Sequence, residues 1–136
     1  NERVQALSVT SPSHLHVEQG IKCCQAGKHF IMEKPIALTL DSLKELRDAV
    51  RQSGVKTVVS FCLRWNPSLL NTAKLVQSGA LGEIFYAEGD YWHGVSDWYS
   101  GWEWARTKAS GGSSFLFGGC HAVDAVRWLV GCKVYQ

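Results

Sequence analysis

His29-Phe30-Ile31-Met32-Glu33-Lys34-Pro35 is a short apolar run that ends on a lysine followed by a proline. Proline lacks a backbone donor and restricts the residue before it. Lys34-Pro35 therefore reads as a rigid turn, open to the cis isomer, that fixes the direction of the ammonium group. The run itself reads as a β-strand, and in α/β sheets ligands bind at the carboxyl ends of strands. Taken alone, the tripeptide fits a surface lysine ahead of a structural proline better than a site residue, so its surroundings decide.

Upstream, Ala6-Leu7-Ser8-Val9-Thr10 is a β-leaning run stopped by Ser11-Pro12-Ser13, and Ser13 can accept the free donors of a following helix as its N-cap. Val17, Ile21 and Cys24 recur at helical spacing before Ala26-Gly27. Downstream, Thr39 is a second candidate cap, Leu43, Leu46 and Val50 repeat before Gly54, and Thr57-Val58-Val59-Ser60-Phe61 is a third β run. Strands alternating with helices at this spacing imply parallel pairing with right-handed crossovers.

The pattern changes after Asn66-Pro67, and a domain boundary is expected near Arg64, dividing the chain into residues 1–64 and 65–136. A helix with Leu69, Ala73 and Val76 runs to Gly79, followed by a long β run from Ile84 to about Trp92. Residues 94–112 form an irregular, Trp- and Gly-rich stretch, too long for a passive connector. A last helix follows Gly118-Gly119 and carries Val123, Val126 and Trp128 before Gly131. Lys133-Val134-Tyr135-Gln136 reads as the start of another strand. With no initial methionine, the chain reads as a piece of a longer protein, whose missing strands would leave sheet edges and apolar faces exposed.

The 136 residues are 46% hydrophobic and 19% charged, ordinary for a globular domain. No run approaches a membrane span and no basic-then-apolar leader opens the chain, so no membrane partner and a cytoplasmic location are expected. A net charge of +2 with dispersed basic residues gives no footprint for nucleic acid. The five cysteines, Cys23, Cys24, Cys62, Cys120 and Cys132, have neither disulfide nor zinc spacing and read as reduced, mostly buried residues.

His121 and Asp124, three apart on the last helix, share a face, with Trp128 one turn on. The spacing fits an acid–base pair and fits equally a histidine held against a neighbouring element. Trp98, Tyr99, Trp102 and Trp104 offer flat faces for a sugar ring, although packing between domains or subunits is the stronger expectation and only Trp104 stands out as a substrate candidate. His14 and His16 open the first helix, and one of them is a candidate cofactor neighbour. His93 has no identifiable partner. Nothing resembles a zinc or iron motif, and no metal is expected.

Ser11-Pro12-Ser13-His14-Leu15-His16, Ala26-Gly27-Lys28-His29 leading into Glu33-Lys34-Pro35, Ser78-Gly79-Ala80-Leu81-Gly82-Glu83-Ile84, and Gly111-Gly112 ahead of His121 occur in one order. In that order the chain resembles the Gfo/Idh/MocA oxidoreductases over nearly its whole length. The resemblance implies the C-terminal part of a Rossmann domain, then the first part of an α/β domain with an open, mainly antiparallel sheet that supports a homo-oligomer. It implies NAD or NADP as cofactor and a carbohydrate-like small molecule as substrate. Ser11, Pro12, Ser13, His16, Glu33, Lys34 and Pro35 would line the nicotinamide end. Lys34 and His121 would be catalytic, and Asp124, Arg64 and Trp104 would meet the substrate.

Three departures accompany the likeness. Many dehydrogenases of the family carry an aspartate four residues before the active-site histidine, where this chain has Phe117. An arginine pair is replaced by Leu63-Arg64, so only Arg64 matches. No G-x-G-x-x-G occurs in the chain, nor the acidic residue that would follow it to meet the ribose, so NAD and NADP are not separable here. The function expected is hydride transfer between a nicotinamide and a sugar, polyol or related hydroxy compound. The alternatives are an NAD-dependent glycoside hydrolase of the same family, or a non-catalytic sugar or dinucleotide sensor.

Overall fold

The computed structural model describes residues 2–94 and 96–131 and divides into two compact units. One takes the described residues of Asn1–Ser60 and Val95–Phe117, the other those of Phe61–Gly94 and Gly118–Gln136. The stretch after Gly94 thus groups with the N-terminal residues. The expected terminal strand at 133–136 and Cys132 lie outside the described residues.

In the first unit β1 (Ala6–Val9), β2 (His29–Glu33) and β3 (Thr57–Ser60) form a parallel sheet in that order, as strands separated by helices require. Leu7 lies beside Phe30 and Val9 beside Met32, and Met32 in turn beside Val59. Helices α1 (His16–Gln25) and α2 (Leu40–Ser53) connect them and pack on one another and on the face bearing Phe30 and Met32. The core joins Val9, Cys23, Cys24, Phe30, Met32, Leu46 and Val55, with Val17, Ile21 and Val50 packed against it. Ile31 and Val58, one residue out of phase, point to the other face and are 52% and 62% exposed. Leu43, expected in the α2 stripe, is exposed at its edge.

Two local details decide how the helices sit. A Cβ at Gly20 would come within 2.8 Å of a Leu46 methyl and 2.9 Å of the Met32 methyl, so the bare position gives these two core side chains room between α1, α2 and β2. Helix α2 is capped as expected: the Thr39 hydroxyl accepts from the Ser42 backbone N–H at 3.2 Å, and Gly54 takes a left-handed φ of 68° at the far end. Ser13 does not cap α1. It is buried in a 3-10 turn, Ser13–Leu15, so α1 begins three residues later and its lead-in uses backbone bonds such as Leu15 N–H to Pro12 O.

The described residues of 94–112, expected to be irregular, contain two one-turn helices, α4 (Trp102–Ala105) and α5 (Lys108–Gly111), the latter packed near the Ser13–Leu15 turn.

In the second unit α3 (Pro67–Gln77) starts with the Asn66 side chain accepting from Ser68 N–H at 2.9 Å and with proline at its first position. It packs on α6 (Cys120–Val130), which follows a π turn at Phe115–Gly119 and ends at Gly131. The β run expected over 84–92 is not a strand, and no sheet forms among the described residues of this unit. The reason is physical: a strand exists through its ladder partner, and no described segment pairs with this one. Phe85 and Trp92 stand 98% and 92% exposed along it.

Candidate functional site

In the first unit the candidate residues gather at the carboxyl ends of β1 and β2, which lie side by side in parallel register. The Lys34–Pro35 bond is cis. The Glu33 carboxylate accepts from Lys34 N–H at 3.2 Å, which turns the Glu33 side chain back onto its own turn. Lys34 Nζ donates to the Phe117 carbonyl oxygen at 2.7 Å and sits 4.8 Å from the centre of the Phe117 ring. One acceptor and one aromatic face therefore aim this cation.

The neighbouring turn is held from α1. The Ser11 hydroxyl donates to Gln19 Oε1 at 2.8 Å. His16, 1% exposed, places Nδ1 at 2.7 Å from the Pro35 carbonyl oxygen and Nε2 at 2.8 Å from that of Ser11. The ring expected beside a cofactor thus spends both nitrogens on the two turns. Ser13 and Pro35 are buried, while Ser11 and Pro12 are half-buried.

Phe117 is also the hub of the aromatic stretch. Tyr99 and Trp104 each meet its ring edge to face, with centroids 6.1 and 5.9 Å away, and Trp98 meets Tyr99 in the same way. Trp104 therefore stands in a packed cluster around Phe117, whose ring also faces Lys34.

In the second unit His121, 4% exposed, lies between aromatic rings, with Phe61 edge-on at 5.9 Å and Tyr91 tilted at 5.3 Å. His93, without a recognisable partner in the sequence, stacks on Tyr91 at 5.7 Å. Asp124 shares the His121 helix, yet its carboxylate receives Arg64 through two bonds of 2.7 Å, Nε to Oδ2 and Nη2 to Oδ1. This fork raises the Arg64 guanidinium further above its ordinary value, mainly through the hydrogen bonds to Asp124 and despite some burial. The guanidinium also lies 5.6 Å from the Trp128 ring centre. Asp124, Arg64 and Trp128 thus form one group.

Three partners escaped the sequence. Phe117 contributes a backbone carbonyl, which no side-chain pattern reports, and Phe61 and Tyr91 flank His121 from far along the chain. Among the described residues no group of three His, Cys, Asp or Glu side chains is placed to hold a metal ion. Among the described residues no helix is long and apolar enough to cross a membrane.

Residues 1–61 match the family described as "Oxidoreductase family, NAD-binding Rossmann fold", and residues 69–135 match the one described as "GFO/IDH/MocA C-terminal domain". Levoglucosan dehydrogenase of Pseudarthrobacter phenanthrenivorans is 34% identical over 133 residues, 94% of this chain and 33% of the relative. The NADP(+)-dependent scyllo-inositol 2-dehydrogenase IolW of Bacillus subtilis is 32% identical over 128 residues, 94% of this chain and 35% of the relative. A solved structure of levoglucosan dehydrogenase in complex with NADH and levoglucosan superposes with a TM-score of 0.86 at 34% identity, covering 96% of this chain and 36% of that one. The chain thus spans about a third of the length of the curated relatives it matches.

Proposed function

The chain belongs to the Gfo/Idh/MocA oxidoreductases, an NAD-binding Rossmann family, and from that premise we propose that it forms part of an NAD(P)-dependent enzyme passing a hydride between the nicotinamide and a sugar, polyol or related hydroxy compound. The observation that carries this is Lys34, a cation aimed by the Phe117 carbonyl and ring at the carboxyl end of a parallel strand.

The turns at Ser11–Pro12–Ser13 and Glu33–Lys34–Pro35 fit the nicotinamide end of the cofactor, because both are fastened from α1 and offer a fixed floor at two adjacent strand ends. When bound, the nicotinamide supplies the acceptor or donor of the hydride. The chain's own work is to manage proton and charge. A carbinol gives up a hydride readily only as its hydroxyl proton leaves, and an imidazole is the side chain suited to taking that proton near neutral pH. His121 has this role. Lys34 keeps ammonium donors beyond the one given to Phe117 and places them on the substrate oxygen, where they stabilise the developing negative charge. Arg64, Asp124 and Trp104 contact the substrate, and the Arg64–Asp124 fork gives the first two a fixed mutual geometry.

Levoglucosan and scyllo-inositol, named for two relatives, are the first compounds to try. We further propose a cytoplasmic enzyme in which residues 65–136 contribute to an open, mainly antiparallel sheet that joins copies into a homo-oligomer.

The test is a panel of sugars, polyols and hydroxy acids offered to the full-length protein with NAD+ or NADP+, with reduced cofactor followed by absorbance. Net reduction with at least one member supports the proposal. Release of an aglycone with no net NADH would assign the chain to the glycosidase alternative, and tight NADH binding with no reduction anywhere to a sensor.

A further inference from the structure

A carbonyl oxygen only accepts hydrogen bonds, and a neutral imidazole has a single N–H. His16 faces two carbonyl oxygens, Pro35 at 2.7 Å from Nδ1 and Ser11 at 2.8 Å from Nε2, and is shut away from water. A neutral ring would set one nitrogen lone pair against a carbonyl lone pair at contact distance. The imidazolium, with an N–H on each side, satisfies both contacts at once. The ring is the first residue of α1, where the helix field opposes a cation. That field is the effect of a partial charge, whereas two carbonyl oxygens act on the ring N–H groups directly.

We propose that His16 is a positioning residue held as an imidazolium, which clamps the turn after β1 to the turn after β2 and thereby sets where Lys34 stands. Its two acceptors belong to the two turns themselves: Ser11 opens one, and Pro35 follows Lys34 in the other. The Ser11 hydroxyl bond to Gln19 and the Leu15 N–H bond to Pro12 O tie the first turn to the same helical lead-in. Neighbouring strand ends therefore move as one piece, and Lys34 is aimed from behind by the clamp as well as from in front by Phe117. The effect on turnover rests on the hydride-transfer proposal above; the state of the ring does not.

The test uses the full-length protein carrying these residues. With uniform 13C and 15N labelling, NMR near neutral pH should show both His16 ring nitrogens protonated, assigned by through-bond connection of the ring to the sequentially assigned His16 backbone of the unaltered protein. A ring with one unprotonated nitrogen overturns the clamp, whatever happens to turnover. In the second arm, variants whose far-UV circular dichroism matches wild type are assayed with the best substrate of the panel and titrated with NADH by fluorescence. His16→Leu, which removes both donors, should lower kcat about tenfold or more while the Kd for NADH stays within about threefold. His16→Gln, whose amide keeps N–H donors, should recover part of that loss. Folded variants with wild-type kcat overturn the positioning role. Should the variants not fold, the NMR result on the unaltered protein decides. Wild-type turnover in Lys34→Met would sink the proposed chemistry while leaving the ring measurement to stand or fall alone.

Discussion

Lys34 and Asp124 were both legible as candidate residues, but their partners were not, because each partner is set by tertiary approach. Lys34 meets a carbonyl 83 positions away in sequence, and Asp124 meets an arginine 60 positions away. Shared helical spacing put His121 and Asp124 on one face, and the Asp124 carboxylate accepts from both donors of a planar guanidinium. The fork is open on its arginine side, with Arg64 46% exposed and Asp124 16%. A double-mutant cycle of Arg64→Ala and Asp124→Asn should therefore give a coupling of only about 0.5–1 kcal/mol, falling in high salt. Arg64→Lys should lose most of it, since an ammonium cannot make both bonds. Phe117→Leu keeps the carbonyl that holds Lys34 but removes a ring packed on Tyr99 and Trp104. Each edge-to-face pair contributes about 0.5–1.5 kcal/mol beyond buried area, and a loss of stability of that order in urea unfolding is expected.

At the scale of elements, the βαβαβ order and the helix ends were readable because they depend on local chemistry. Thr39 and Gly54 bracket α2 where a capping hydroxyl and a left-handed residue are needed. Thr39→Ala should cost about 1 kcal/mol, read as a lower melting temperature. Ser13 misled because a serine before a helix also suits a tight turn, and here burial in the 3-10 turn won. Gly20 shows what periodicity hides: it lies among helix formers, and its missing side chain is what admits Leu46 and Met32. Gly20→Val should destabilise by about 1–3 kcal/mol through overpacking, more than any gain from helix propensity. Residues 84–92 are rich in β-forming side chains, but that propensity supplies no ladder partner.

Over the whole chain, the family was legible because several motifs keep one order, whereas the grouping of the aromatic stretch with the N-terminal residues was not, since that depends on contacts far apart in sequence. Burial also sorts the cysteines. Cys23 and Cys24 sit in the core, and burial pushes the Cys23 thiol up, away from the reactive thiolate, while Cys62 is exposed. Brief iodoacetamide treatment of the native protein should alkylate Cys62 well before Cys23 or Cys24 by peptide mass spectrometry, and equal rates would contradict the core as described. The central claim is that Lys34 acts on the substrate oxygen rather than serving only to hold the fold. It is tested most directly by steady-state kinetics of Lys34→Met in the full-length protein, alongside NADH titration. We expect kcat to fall roughly 10²-fold or more with the Kd for NADH within about threefold; a folded variant with turnover within about twofold of wild type would contradict it.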